Sequence, residues 1–323
     1  MVVKCYIENN YRGVKMKKVI LLIILSVSLV IAGCSATQQD EVKKLKIGFL
    51  PTYTVAALLV ASEDSKNENG IEIELIRFGS SKEIIAALMA KQIDGIISDG
   101  LMTVQQAANK RLRIVGIARE SKPGNTIFGL FGPADGAIED IRGQEVGVGL
   151  NTQSEFALDL MMNEIGLNPA DIKKVNVPEL GVRMKMYTDG TLKYIISTTT
   201  YNEQVENMED KSVLMDDSTF SQIQAYLAIR PEMYTEKNVL SLINQYNDAV
   251  NSLNENPERY RKLMDENIRV PVGSDVVKLM PVMDELRKVE LDMLEEMTKW
   301  LQGKKLIDSG ISIDDLISQM TWK

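Results

Sequence analysis

The chain has 323 residues, is 45% hydrophobic and 25% charged, and carries a formal net charge of −8. That length suffices for two lobes of ordinary size, and the acidity argues against nucleic acid as a partner. Histidine is absent, which removes imidazole acid–base chemistry and imidazole metal ligands; with no zinc-type cysteine spacing and no phosphate-binding loop, neither a metal nor a cofactor is expected.

Lys15, Lys17 and Lys18 precede an apolar run from Val19 to Ala32. This is the layout of a secretory signal whose apolar stretch is too short to span a bilayer comfortably. Ile31-Ala32-Gly33-Cys34 resembles the bacterial lipobox, in which the cysteine thiol receives a diacylglycerol and cleavage occurs before it. Residues 1–33 are therefore expected to be a lipoprotein signal peptide, with Met16 as an alternative start, and Cys34 the lipidated end of the mature chain. Of the 37 basic and 45 acidic residues, cleavage removes five and one, leaving a net charge of −12. Such a body repels anionic lipid, so the acyl chains make the membrane contact. Residues 34–44 are polar without apolar period and read as a flexible tether. The expected location is extracytoplasmic, anchored to the bacterial cell membrane.

From Leu45 strands and helices alternate. Leu45 to Leu50 reads as a strand, Pro51-Thr52-Tyr53-Thr54 as a turn, and Val55 to Ala61 as the start of a helix. Tyr53 either presents its ring over a ligand or fills the core, as tyrosines commonly do. Ile71 to Phe78 has the branched, alternating content of a strand. Gly79, Ser80 and Ser81 stop it, and Glu83 follows Ser80 at capping-box spacing. Ile84, Ile85, Leu88 and Met89 make an apolar helical face, and Ile93 to Ser98 is a second strand, apolar enough to be covered on both sides. This strand–helix–strand unit puts Gly79–Ser81 and Ser98–Thr103 on one edge of a parallel sheet, where ligands bind. Asp99 is either the N-cap of a helix over 101–110 or an acceptor for a ligand's donor. Leu112 to Ala118 is a further strand.

Lys122-Pro123-Gly124-Asn125 is a turn, and the first crossing between lobes is expected here. Thr126 to Phe131 and Glu145 to Leu150 read as strands; Asn151-Thr152-Gln153-Ser154 ends the latter, and a helix runs from Glu155 to Ile165. Thr152 and Glu155 repeat the capping-box spacing. A helix start with free N–H groups favours an anion or a carbonyl oxygen, and two facing starts can grip a small polar solute, although each alone need only be a cap. Lys173 to Val177, Tyr194 to Ser197 and Val213 to Asp216 are strands, and Val182 to Tyr187 a short helix. Thr198-Thr199-Thr200-Tyr201 puts three hydroxyls and a ring on one loop. Tyr226 to Arg230 reads as a strand of the first lobe, followed by helices over 235–253, 257–267 and 276–300, with Pro281 breaking or beginning part of the last, and a final helix beginning within 311–317. The expected domains are 45–120 with 221–323 as a discontinuous first lobe and 121–220 as the second.

The stretches KLKIGFLPTYTVAALLVA, GSSKEIIAALMAKQIDGIISDG, IRGQEVGVGLNTQSEFALDLMM, GLNPADIKKV and ISIDDLI resemble, in order and spacing, the substrate-binding lipoproteins of bacterial ABC importers in the nitrate, sulfonate and thiamine-precursor group. The resemblance covers Leu45 to Ile317. It implies an α/β fold, a two-lobed clamp of the periplasmic-binding-protein type 2 kind with a mixed sheet flanked by helices in each lobe. It also implies a monomer that docks on an ABC permease and ATPase complex, and it puts Tyr53, Ser80, Ser98, Thr152 and Thr200 on loops facing the cleft. With their neighbours Ser81, Asp99, Gln153, Ser154, Thr198 and Tyr201, these form the predicted ligand site. Where relatives commonly end an acidic-apolar strand in tryptophan, glutamate and proline, this chain has Ser197-Thr198-Thr199-Thr200-Tyr201. The expected solute is small and polar, anionic or heteroaromatic, and no catalytic residue is expected. A ligand-sensing adaptor is one alternative. A cofactor-biosynthesis enzyme on the same fold is another, but its pyrimidine-forming relatives use histidine, which this chain lacks.

Overall fold

The computed structural model describes residues 44–64, 71–289 and 291–316. The predicted signal peptide, Cys34 and the tether as far as residue 43 lie outside the described residues. The described part begins with β1 (Lys44–Phe49), whose outward Lys44 and Lys46 alternate with buried Leu45 and Ile47. Helix α1 (Ala56–Asp64) is apolar over its first six residues and is buried there, and β2 (Glu72–Arg77) follows. Helix α2 (Ser81–Met89), β3 (Gly95–Asp99), α3 (Gly100–Ala108) and β4 (Arg113–Glu120) complete the first run. The chain then builds β5 (Phe128–Pro133), β6 (Glu145–Val148), α4 (Gln153–Glu164), β7 (Lys173–Asn176), α5 (Leu180–Thr188), β8 (Tyr194–Thr198), α6 (Asn202–Glu206) and β9 (Lys211–Asp216). It closes with β10 (Gln224–Ile229), α7 (Glu236–Glu255), α8 (Arg261–Asn267) and α9 (Leu291–Gly303).

The strands form two five-stranded sheets, ordered β2-β1-β3-β10-β4 and β7-β6-β8-β5-β9. In the first, β1 is parallel to β2 and β3, while β10 runs antiparallel to both β3 and β4. The second repeats the plan: β6 is parallel to β7 and β8, and β5 is antiparallel to β8 and β9. In each sheet the reversed strand is the first one laid down after the chain crosses over from the other sheet. β10 is buried at every position, as a central strand covered on both faces must be. One face of the first sheet packs on α1 and α7 through Leu58, Leu242 and Tyr246; the other joins a core that continues through Leu101, Phe156 and Leu294. The two chain crossings lie side by side, with Ser121 N donating to Ile223 O and Asp217 N to Phe128 O.

The expected helix over 276–300 holds only from Leu291. Residues 276–289 form no helix and run along the first sheet, where Ile117 and Arg287 exchange backbone hydrogen bonds. Asn254 holds Met283 through two bonds of 2.8 and 2.9 Å, and Asn247 Oδ1 accepts from Leu286 N at 2.8 Å. Helix α7 thus satisfies this segment's backbone from the side, and Pro281 keeps it from winding up. The expected final helix is, within the described residues, a single short turn at Ile313–Asp315.

Candidate functional site

The predicted site residues fall at the carboxyl ends of the parallel strands in both sheets. On the first sheet, Ser80 caps α2: its Oγ accepts from Glu83 N at 3.4 Å, and Glu83 Oε2 accepts from Gly79 N at 2.8 Å. Glu83 thus reaches past the cap residue to the N–H before it, so the reciprocal half of the expected capping box falls on Gly79 and not on Ser80, and Ser81 is the first residue of the helix. Asp99 caps α3, with Oδ1 accepting from Met102 N at 2.9 Å and Oδ2 accepting from Ser98 Oγ at 3.3 Å. Burial pushes the Asp99 carboxyl up, against these bonds, which pull it down. Of the two roles open to Asp99, the structure has it as the cap. Tyr53 is a core residue. It is 4% exposed, packs among the side chains beneath α1, and donates its hydroxyl to Val276 O at 2.8 Å. That acceptor lies 223 residues away, on the irregular segment, so the sequence held no sign of it.

On the second sheet, Thr152 caps α4. Its Oγ1 donates to Gly149 O at 2.7 Å, accepts from Ser154 N at 3.3 Å, and lies 2.8 Å from Ser154 Oγ. Thr198 and Thr200, on the loop leaving β8, make no side-chain hydrogen bond among the described residues, whereas Thr199 Oγ1 donates to Thr126 O at 2.9 Å. Tyr201 packs half-buried against Phe131 and Val205, and burial raises its hydroxyl pKa. Because β6 and β8 are adjacent and parallel, in register at Val146 and Tyr194, the Thr152 and Thr198 loops leave the same sheet edge.

Gln153 joins the two edges. It is 3% exposed, its Oε1 accepts from Leu101 N at 3.0 Å, and its Nε2 donates to Gln224 O at 2.9 Å. The start of α4 therefore reaches across to the start of α3 and to β10. One of the free N–H groups at the start of α3 is already used by this amide, so Gln153 works as a bridge between the helix starts. The structure brings Ser98, Asp99, Thr152, Gln153 and Ser154 together around these two starts. Ser80 and Ser81 stay at the end of β2, with no bond to that group.

Sequence reasoning missed two groups. Arg183, on α5, is buried with its head at the Gly149–Thr152 turn. Its only sequence signal is its place on the inward face that Met184 and Tyr187 share. The second is a buried charge cluster behind the start of α4. Glu155 Oε1 pairs with Lys304 at 2.5 Å and Lys174 at 2.9 Å, and Lys174 also pairs with Asp159. Burial works to raise the Glu155 pKa, but the bonds from Lys304, Asn151 N and Lys174 outweigh it and hold the carboxyl below its ordinary value. Among the described residues, no group of three or more carboxylate or cysteine side chains is arranged to hold a metal ion.

A model of the NMT1-like family matches residues 38–208. No curated protein matches the chain significantly. Solved structures do. The periplasmic aliphatic sulphonate-binding protein of Escherichia coli superposes with a TM-score of 0.73 at 16% identity, over 86% of this chain and 93% of that one. The ligand-binding component of an ABC-type import system from Staphylococcus aureus gives 0.68 at 14% identity, over 85% and 96%. The alkanesulfonate-binding protein of Xanthomonas axonopodis pv. citri, bound to MOPS, gives 0.67 at 13% identity, over 85% and 98%. At these identities the likeness establishes the fold: two mixed sheets flanked by helices, in the periplasmic-binding-protein type 2 arrangement.

Proposed function

The chain belongs to the NMT1-like family, and from that premise we propose that it is the solute-binding lipoprotein of an ABC importer, capturing a small polar solute by lobe closure and delivering it to a permease and ATPase complex. The moving bodies in this reading are 45–120 with 221–323, and 121–220. Cys34 carries the lipid, and the solute is anionic or heteroaromatic. The observation that carries the reading is the pairing of two helix starts from different sheets, α3 and α4, bridged by Gln153 and ringed by Ser98, Thr152 and Ser154. Hydroxyls gathered at two helix starts between two bodies suit a small acceptor-rich solute. The solved neighbours that bind sulphonates support the same chemistry.

Calorimetry on delipidated, ligand-stripped protein against sulfonates, nitrate, aromatic carboxylates and pyrimidines tests the reading, together with small-angle scattering of each saturated complex. Binding of one of these solutes with a smaller radius of gyration is the expected result. Binding without compaction, starting from an open unliganded form, counts against closure; no binding to any class counts against solute capture.

A further inference from the structure

A groove of about 330 Å³ lies at the end of the first sheet opposite the candidate site. At that end Ile229 of β10 pairs with Gly95 of β3 on one side and Arg113 of β4 on the other, at the amino ends of the parallel strands. Four cations line the groove, Lys91, Lys110, Arg111 and Arg230, against one carboxylate, Glu232. Arg230 is 6% exposed and held by the backbone: Nε donates to Ile93 O at 2.9 Å, Nη2 donates to Leu88 O, and Nη1 stands 4.0 Å from Glu232. Arg111 Nη1 donates to the neutral amide of Gln106 at 2.8 Å. Lys91 and Lys110 are exposed, and their side chains make no hydrogen bond or ion pair among the described residues.

Each of these lysines follows a helix end, Lys91 after α2 and Lys110 after α3, with φ of 56° and 58°. Glycine is the residue least strained in that left-handed conformation, yet both helices run into a lysine there. A cation in that place offsets the helix dipole. The two helix ends amount to about one negative charge between them, and Glu232 to another, which leaves about two positive charges in excess. This excess stands in a chain of formal net charge −8.

The chain enters the fold at the same end of the sheet. Asp94 N donates to Lys46 O at 2.7 Å, and Lys46 N donates to Asp94 Oδ2 at 2.9 Å. The turn that carries Lys91 is thus bonded to the third described residue. Lys44 is matched by Glu72 and Glu74 at 3.0 and 2.9 Å. Residues 35–43 join Lys44 to Cys34, a span on the order of 35 Å at full extension, so an anchor at Cys34 keeps the groove close to the bilayer.

We propose that the groove docks the phosphate of an anionic phospholipid headgroup, and that this contact orients the anchored body with its solute-binding edge turned away from the bilayer. The acidic body as a whole is repelled by such lipid, so the acyl chains retain the protein and the groove only selects which end faces the membrane. The proposal rests on the anchor reading above and adds an orientation to it.

From residue 34 onward Cys34 is the one cysteine. Unlipidated mature protein is therefore coupled through it to maleimide lipids in vesicles, which supplies an anchor whatever the native one is. Vesicles of phosphatidylcholine alone are compared with vesicles containing about one third phosphatidylglycerol, and lysine acylation rates are read by peptide mass spectrometry. Lys91 and Lys110 should be acylated about fivefold more slowly on the anionic vesicles, and Lys185 on α5 equally fast on both. Salt at about 0.5 M should remove the difference by screening. Met89→Glu places an opposing charge at an exposed position lining the groove. It and Arg111→Gln should each bring the two rates to within about twofold. Equal rates on the two vesicle types overturn the proposal, as do slowing of Lys185 to the same degree and protection that survives both variants. Equal protection of uncoupled protein by inorganic phosphate, with no vesicles, also overturns it, since that marks a site for a free anion. Failure of the anchor reading looks different: native membrane-extracted protein would lack the diacylglyceryl mass on Cys34, whatever the coupled protein does.

Discussion

Gln153 shows what a single side chain does in this molecule. Its amide satisfies a backbone N–H of α3 and a backbone carbonyl of β10, and truncation removes both bonds from a buried place. Gln153→Ala should therefore lose about 1–3 kcal/mol of stability, read as a lower urea midpoint. Asp217 plays a comparable part at the crossings. It is fully buried, and its carboxylate accepts from Ile127 N and Phe128 N, each at 2.9 Å. Burial nevertheless pushes its pKa up to about 6, against these bonds and the field of Arg119. In the unfolded chain the group returns to a pKa near 4. Between about pH 4 and 6 the folded state therefore holds a proton that the unfolded state has released, and the stability this group contributes falls as pH rises through that window. Relative to Asp217→Asn, the wild type should lose on the order of 2 kcal/mol from pH 4 to pH 6, as measured by denaturant unfolding at stepped pH.

Among the elements, α9 is the one whose role depends most on distant partners. Trp300 meets Phe156 edge-on at 5.7 Å and donates Nε1 to Asp159 at 3.0 Å, while Lys304, just beyond the helix end, pairs with Glu155. The end of α9 is thereby clasped to α4 on the second sheet, and Met297 and Leu301 of the same helix share a core with Leu101 of α3. Lys304→Met should cost about 1.5–3 kcal/mol by leaving the buried Glu155 with one lysine fewer, and Lys174 limits the loss. Chemical denaturation of the pair Lys304→Met and Lys304→Arg checks this, with arginine expected to keep most of the stability. The caps of α2, α3 and α4 were readable in the sequence, because a cap and its partner are only two or three residues apart. The clasp was not, because Glu155 and Lys304 are 149 residues apart.

For the whole molecule, solute capture predicts rotation of one lobe against the other, and the clasp and the Gln153 bridge are contacts that opening must strain or break. Lys304→Met should therefore widen the distribution of unliganded shapes in small-angle scattering, while saturating ligand returns it to the wild-type radius. Retention at the membrane is assigned to lipid alone, given the acidic body. Intact-mass measurement of membrane-extracted protein should show a diacylglyceryl group on Cys34, and Cys34→Ala should release the chain into the soluble fraction. A mature mass without that addition would remove the anchor from the proposal.

The order of strands and helices, and the hydroxyl-capped helix starts at strand ends, followed from sequence because period, turn chemistry and caps are local, acting within a few residues. That is why Ser80, Asp99 and Thr152 stand at helix starts as their spacing requires. What only the tertiary structure decided is which groups remain available once the chain has folded. It gave the Tyr53 hydroxyl to Val276, gave the Gln153 amide to Leu101 and Gln224, kept 276–289 out of helix and bridged Arg287 to Ile117 of the first sheet, and left Arg183 Nε buried without a partner. Each of these outcomes is set by burial and by partners far apart along the chain, and local pattern carries no record of either.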